Sequence, residues 1–130
     1  MAVKPEPPYK VLIIDDSAVV RQTLTGIYSS DPELEVVGTA PDALIALKKL
    51  DELKPDVLSL DVQMPRMDGL QATRKIRELP GRRDTIIIAV TANAMSGDVE
   101  TCLNAGMNDY ISKPVRSDEL CVKLTKWLAQ

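Results

Sequence analysis

The chain has 130 residues, 45% hydrophobic and 27% charged, with a formal net charge of −3 and a pI near 5.0. That is one domain's worth of chain, with enough apolar side chains for a real core and too many for disorder. A mildly acidic chain has little pull on nucleic acid, and no apolar run approaches the roughly 20 residues of a membrane span. The N-terminus, MAVKPEPPYK, has no apolar secretory region. A cytoplasmic location, no direct nucleic-acid partner and no membrane are therefore expected.

Absent residue types exclude further chemistry. There is no histidine, which removes imidazole bases, Ser/His triads and His-ligated metals. The two cysteines, Cys102 and Cys121, fall on separate predicted helices. They form no CxxC pair and no disulfide framework, which suits a reducing compartment, and both read as small apolar packing groups. Phenylalanine is also missing, so aliphatic side chains must fill the core.

In chain order, residues 1–9 carry Pro5, Pro7 and Pro8 and read as a flexible tail, with the domain running over 10–130. Short aliphatic runs follow at Val11–Ile14, Val36–Val37, Val57–Leu60, Ile86–Val90 and Tyr110–Ile111. Between them the apolar residues take helical spacing: Val20, Leu24 and Ile27, then Leu44, Leu47 and Leu50, and finally Leu120, Leu124, Trp127 and Leu128. Pro41 with Asp42 suits a first helical turn, Asp68 can cap a helix ending at Leu79, and Ser96 and Ser117 stand where N-caps are needed. Strands alternating with helices predict an α/β fold, a doubly wound parallel sheet covered on both faces.

In such a sheet the functional crevice lies beyond the carboxyl ends of the strands. Asp15-Asp16-Ser17 follows the first predicted strand, Asp61 the third and Thr91 the fourth, and Lys113-Pro114 follows the fifth. Taken singly, an Asp here reads as a helix cap, Thr91 as a strand former and Lys113 as a solvated lysine. Together they place three carboxylates, a hydroxyl and an ammonium on one rim. Carboxylates so grouped suit an acid/base dyad or a hard divalent cation, and an ammonium beside them makes a phosphoryl receptor with Asp61 as candidate nucleophile.

Asp15-Asp16, Asp61 with Met64-Pro65, Asp68-Gly69, Thr91-Ala92 and Tyr110 with Lys113-Pro114 resemble the response-regulator receiver domains of two-component signalling. The resemblance covers Lys10 to Gln130. It implies a flavodoxin-like three-layer (βα)5 sandwich with strand order 2-1-3-4-5. It also implies that Asp61 accepts a phosphoryl group from a phosphohistidine of a sensor histidine kinase or histidine phosphotransfer protein. Asp16, Asp61 and the Gln63 carbonyl would bind Mg²⁺, with Asp15 acting through water. Lys113 would contact the phosphoryl group, and Lys113-Pro114 suggests a cis peptide. Thr91 and Tyr110 would form a switch pair, and Gln63 and Asn93 would tune dephosphorylation. The effector is unknown. Its expected docking face is Ser96–Gln130, with Leu103, Met107 and Val115 as contacts, although core packing is the plainer reading of Leu103.

The first half, including DDSAVVRQTL, is similar to chemotaxis methylesterase receivers, and the second, including TANAMSGD, to receivers of hybrid sensor kinases. That leaves open a natural mosaic, a recombined chain or an unusual member. With no catalytic domain before Gln130, the expectation is a signalling module rather than an enzyme with its own substrate. A dehalogenase-like phosphatase would want an Asp two residues after its nucleophile, where this chain has Gln63. A nucleotide or flavin module would want a Gly-rich first loop, where Asp15-Asp16 would repel phosphate.

Overall fold

The computed structural model describes residues 7–62, 68–80, 84–92 and 96–128, with the backbone alone at 96–98. Ten elements alternate strictly: β1 (Tyr9–Ile14), α1 (Ala18–Ser29), β2 (Leu34–Ala40), α2 (Ala43–Leu53), β3 (Val57–Asp61), α3 (Gly69–Glu78), β4 (Ile86–Thr91), α4 (Ser96–Ala105), β5 (Asp109–Ser112) and α5 (Ser117–Leu128). The strands form one parallel sheet in the order β2-β1-β3-β4-β5. The chain leaves β1 toward β2 on one side and then crosses to β3 on the other. Strand order therefore reverses between β1 and β3, which makes their carboxyl ends the crevice of the sheet.

Alternation along each strand sends successive side chains to opposite faces. Leu12, Ile14, Leu58, Leu60, Ile87 and Ala89 pack with Ala43, Ala46 and Leu50 of α2, Ala72 and Ile76 of α3, and Cys102 of α4. On the other face Val11, Ile13, Val57, Ile88 and Ile111 pack with Leu24 and Tyr28 of α1 and Leu120 and Leu124 of α5. Both faces are thus covered. This explains why β1, β3 and β4 are nearly continuous apolar runs rather than alternating ones.

The helix signals hold unevenly. Ser17 caps α1, Asp42 caps α2, and Asp68 caps α3 through a capping box with Gln71. Ser117 is not a cap: the Leu120 N–H donates to the Arg116 carbonyl, so Ser117 is already the first residue of α5. Ser96 likewise lies inside α4, and its cap position falls outside the described residues. Cys102 is buried in the core as expected, whereas Cys121 is only half-buried and lines a surface cleft with Tyr9, Asp31 and Leu34. No helix among the described residues is long and apolar enough to cross a membrane.

Candidate functional site

The site begins with the residue after β1. The Asp15 N–H donates to the Ala40 carbonyl of β2 at 3.1 Å, extending the sheet by one bond. Its side chain is fully buried, and Oδ1 accepts from the Ser17 N–H at 2.9 Å. Arg21, one turn into α1, donates from Nη1 to the Asp15 carbonyl at 2.7 Å. The β1–α1 turn is held from both sides, and Arg21 is a contributor that sequence reasoning missed. No motif or spacing marks it in the sequence.

Asp61 ends β3, opposite Val90 in the register, and is 3% exposed. Beyond it the Val62 N–H bonds the Val90 carbonyl, and the Gly69 N–H bonds the Val62 carbonyl at 2.9 Å. Lys113 reaches across from the end of β5, its own N–H bonded to the Thr91 carbonyl. Its Nζ lies 3.3 Å from Asp15 Oδ2 and 3.5 Å from Asp61 Oδ1. Carboxylate oxygens of Asp15, Asp16 and Asp61 all lie within 4.8 Å of one another. Asp15 and Asp61 are buried while Asp16 is exposed, so the group opens to solvent on one side.

One ammonium does not balance three clustered carboxylates. Asp15 Oδ2 is buried and, beyond that ion pair, completes no hydrogen bond among the described residues. An orphaned buried oxygen, two further carboxylates at ligand spacing and one solvent-facing side fit a hard divalent cation that keeps part of its water, as Mg²⁺ does.

Four residues expected at the site (Asp15, Asp16, Asp61 and Lys113) therefore come together. Thr91 is buried at the end of β4, next to the Asp61 partner Val90. Tyr110 lies on β5 opposite Ala89, half-buried against the α2–α4 side of the core. Gln63 and Asn93 lie outside the described residues. The Lys113–Pro114 peptide is cis, as expected. Of the expected contact residues, Leu103 is exposed on α4, as a contact requires, and is not packed in the core, whereas Met107 needs correction: it is buried in the core, because the turn before β5 folds it inward.

Residues 11–125 match the response regulator receiver domain family. The chain belongs to that family. A protein-glutamate methylesterase/protein-glutamine glutaminase from Koribacter versatilis is 41% identical over 118 residues, covering 89% of this chain and 32% of the relative. One from Oleidesulfovibrio alaskensis is 50% identical over 105 residues, covering 81% and 29%. The receiver thus spans about a third of the length of the relatives it matches. Among solved structures, the response regulator domain of Thermotoga maritima CheB is 33% identical with a TM-score of 0.83, covering 94% of this chain and 97% of that one. The receiver domain of a Pseudomonas aeruginosa PAO1 sensor histidine kinase, solved with magnesium coordinated in its active-site cleft, is 34% identical with a TM-score of 0.83, covering 94% and 98%. The curated methylesterases match both halves of the chain, covering 81–89% of it.

Proposed function

We propose that this receiver accepts a phosphoryl group on Asp61 from a phosphohistidine of a sensor histidine kinase or a histidine phosphotransfer protein, in a Mg²⁺-dependent reaction. The observation that carries the reading is the Asp61 carboxylate itself. It is buried at the strand-order reversal, shares the Lys113 ammonium with Asp15, and lies in a ring of oxygens that Asp16 completes. A carboxylate oxygen of Asp61 attacks phosphorus. The P–N bond breaks, its electron pair stays on the donor imidazole, and an acyl phosphate forms.

Asp15, Asp16, Asp61 and the Gln63 carbonyl would hold Mg²⁺, which when bound offsets the charge of the carboxylates and of the transferred oxygens. Lys113 contacts a phosphoryl oxygen from the opposite side. The Thr91 hydroxyl bonds the phosphoryl group, Tyr110 follows, and α4, β5 and α5 carry the change to an effector. Such contacts exist only in the phosphorylated state, which is why they shift an equilibrium. The amides of Gln63 and Asn93 set the lifetime of the acyl phosphate. In this reading the receiver catalyses only its own phosphorylation and dephosphorylation.

An apolar groove of Val20, Thr23, Leu24, Pro114 and Val115 opens beside Lys113, next to the exposed Val19. Its place beside Lys113 supports docking of the phosphodonor there. The test is transfer of radiolabelled phosphate from a panel of phosphorylated donors. Wild type should take label from at least one donor, and Asp61→Asn should take none while keeping its circular dichroism spectrum. Label retained by a folded Asp61→Asn overturns the assignment.

A further inference from the structure

The strand β5 is an edge of the sheet, so half of its peptide groups face no neighbouring strand. At Tyr110 side chains cover both. The Tyr110 N–H donates to Asp109 Oδ1 at 2.9 Å, and its carbonyl accepts from Lys123 Nζ of α5. The same ammonium lies 3.4 Å from Asp109 Oδ1, 3.7 Å from Glu119 Oε1 and 3.9 Å from the centroid of the Tyr110 ring. Asp109 Oδ2 in turn accepts from the indole Nε1 of Trp127 at 2.9 Å.

Three oxygen groups thus fix the ammonium independently of the ring. If the ring turns about its side-chain torsions, the carbonyl and carboxylate contacts stay and only the cation–π contact is lost. That contact therefore differs between two ring positions, and a difference of this kind is what biases a two-state equilibrium. We propose that Lys123 is a positioning residue that holds the Tyr110 ring in its resting place. This rests on the reading of Tyr110 as a switch residue.

The test uses beryllofluoride with Mg²⁺ as probe and the whole chain as protein. Lys123→Gln keeps a donor for the Tyr110 carbonyl but removes the cation. It should bind beryllofluoride about two- to five-fold more tightly than wild type, the factor one modest cation–π contact supplies. The gain should vanish in a Tyr110→Leu background. In wild type, the resonances of the Lys123 side chain, which lies under the Tyr110 ring, should shift when the probe binds, and this arm decides the matter should Lys123→Gln not fold. A merely structural lysine would lower the unfolding midpoint without moving this affinity. Equal affinity in Lys123→Gln, a gain that persists in Tyr110→Leu, or unmoved Lys123 side-chain resonances overturn the proposal. A wild type that binds no beryllofluoride sinks the phosphoacceptor reading first, and the proposal with it.

Discussion

A Cβ at Gly69 would lie 2.5 Å from the Asp61 carbonyl oxygen and 2.9 Å from Val62 Cα. Backbone atoms cannot yield as a flexible side chain can, so only glycine lets α3 start this close to the residue carrying the central carboxylate. Gly69→Ala should destabilise the fold by about 1–3 kcal/mol, the usual cost of overpacking, and should also weaken Mg²⁺ binding by displacing Asp61. Denaturant melts and a metal titration check the two effects, and an unchanged metal affinity would show that Gly69 serves the fold alone. Tyr28 makes a second case. Burial pushes its phenol up to about 12; the neighbouring Ser59 hydroxyl tempers the rise, and Cys121 adds to it. Yet the two hydroxyls meet in poor geometry, and among the described residues neither completes a well-formed hydrogen bond. A buried hydroxyl whose partner is so poorly placed costs about 1–3 kcal/mol, so Tyr28→Phe should raise stability by about 1 kcal/mol at neutral pH. The neutral phenol is the form the fold favours. Its contribution is full below the ordinary value of 10.0 and is lost as pH rises toward 12, so the variant should also lose less stability over that range. A fall in the unfolding midpoint of Tyr28→Phe would contradict this account.

Between α5 and β5 the packing is partly ionic. Burial pushes the Asp109 carboxyl up, but hydrogen bonds from Trp127 and the Tyr110 N–H, together with the charge and hydrogen bond of Lys123, outweigh it and hold it below its ordinary 3.8. A depressed folded value stabilises the fold above the ordinary value, and that gain is lost as pH falls below 3.8 through the folded one. Wild type should therefore lose stability more steeply than Asp109→Asn over that acid range, as read by denaturant midpoints at a series of pH values. Parallel curves would remove Asp109 from the link between the two elements. None of this was legible in the sequence. Leu120 and Leu124 announce α5 by their spacing, but Lys123 then reads as part of its solvated face, and only the edge position of β5 gives it a carbonyl and a ring to hold. The misread Ser117 has a related cause: caps were assigned by residue type, while the helix starts where the preceding backbone bond forms, at Arg116.

Across the whole molecule, the parallel sheet was legible because both covered faces demand unbroken aliphatic strands, as Ile86–Val90 shows. The site was legible for a related reason. Each member stands at or just past the carboxyl end of a strand, so counting strand ends gathers Asp15, Asp61, Thr91 and Lys113 on one rim. What sequence could not supply was the reach of Lys113 to both buried carboxylates, or the support of Asp15 by Arg21, since both depend on how α1 and β5 flank the crevice. The expectation that aliphatics would fill the core in the absence of phenylalanine holds, with Tyr28 as the one aromatic among its largest fully buried side chains. The central claim is that these converging groups turn Asp61 into a metal-assisted phosphoacceptor. The direct measurement is the intact mass of the protein after exposure to acetyl phosphate, with Mg²⁺ and with a chelator, under conditions that preserve acyl phosphates. The account predicts one added phosphoryl group with Mg²⁺, lost in Asp61→Asn and with the chelator. A mass that stays unaltered in wild type with Mg²⁺, or an adduct that forms equally well without the metal, would contradict it.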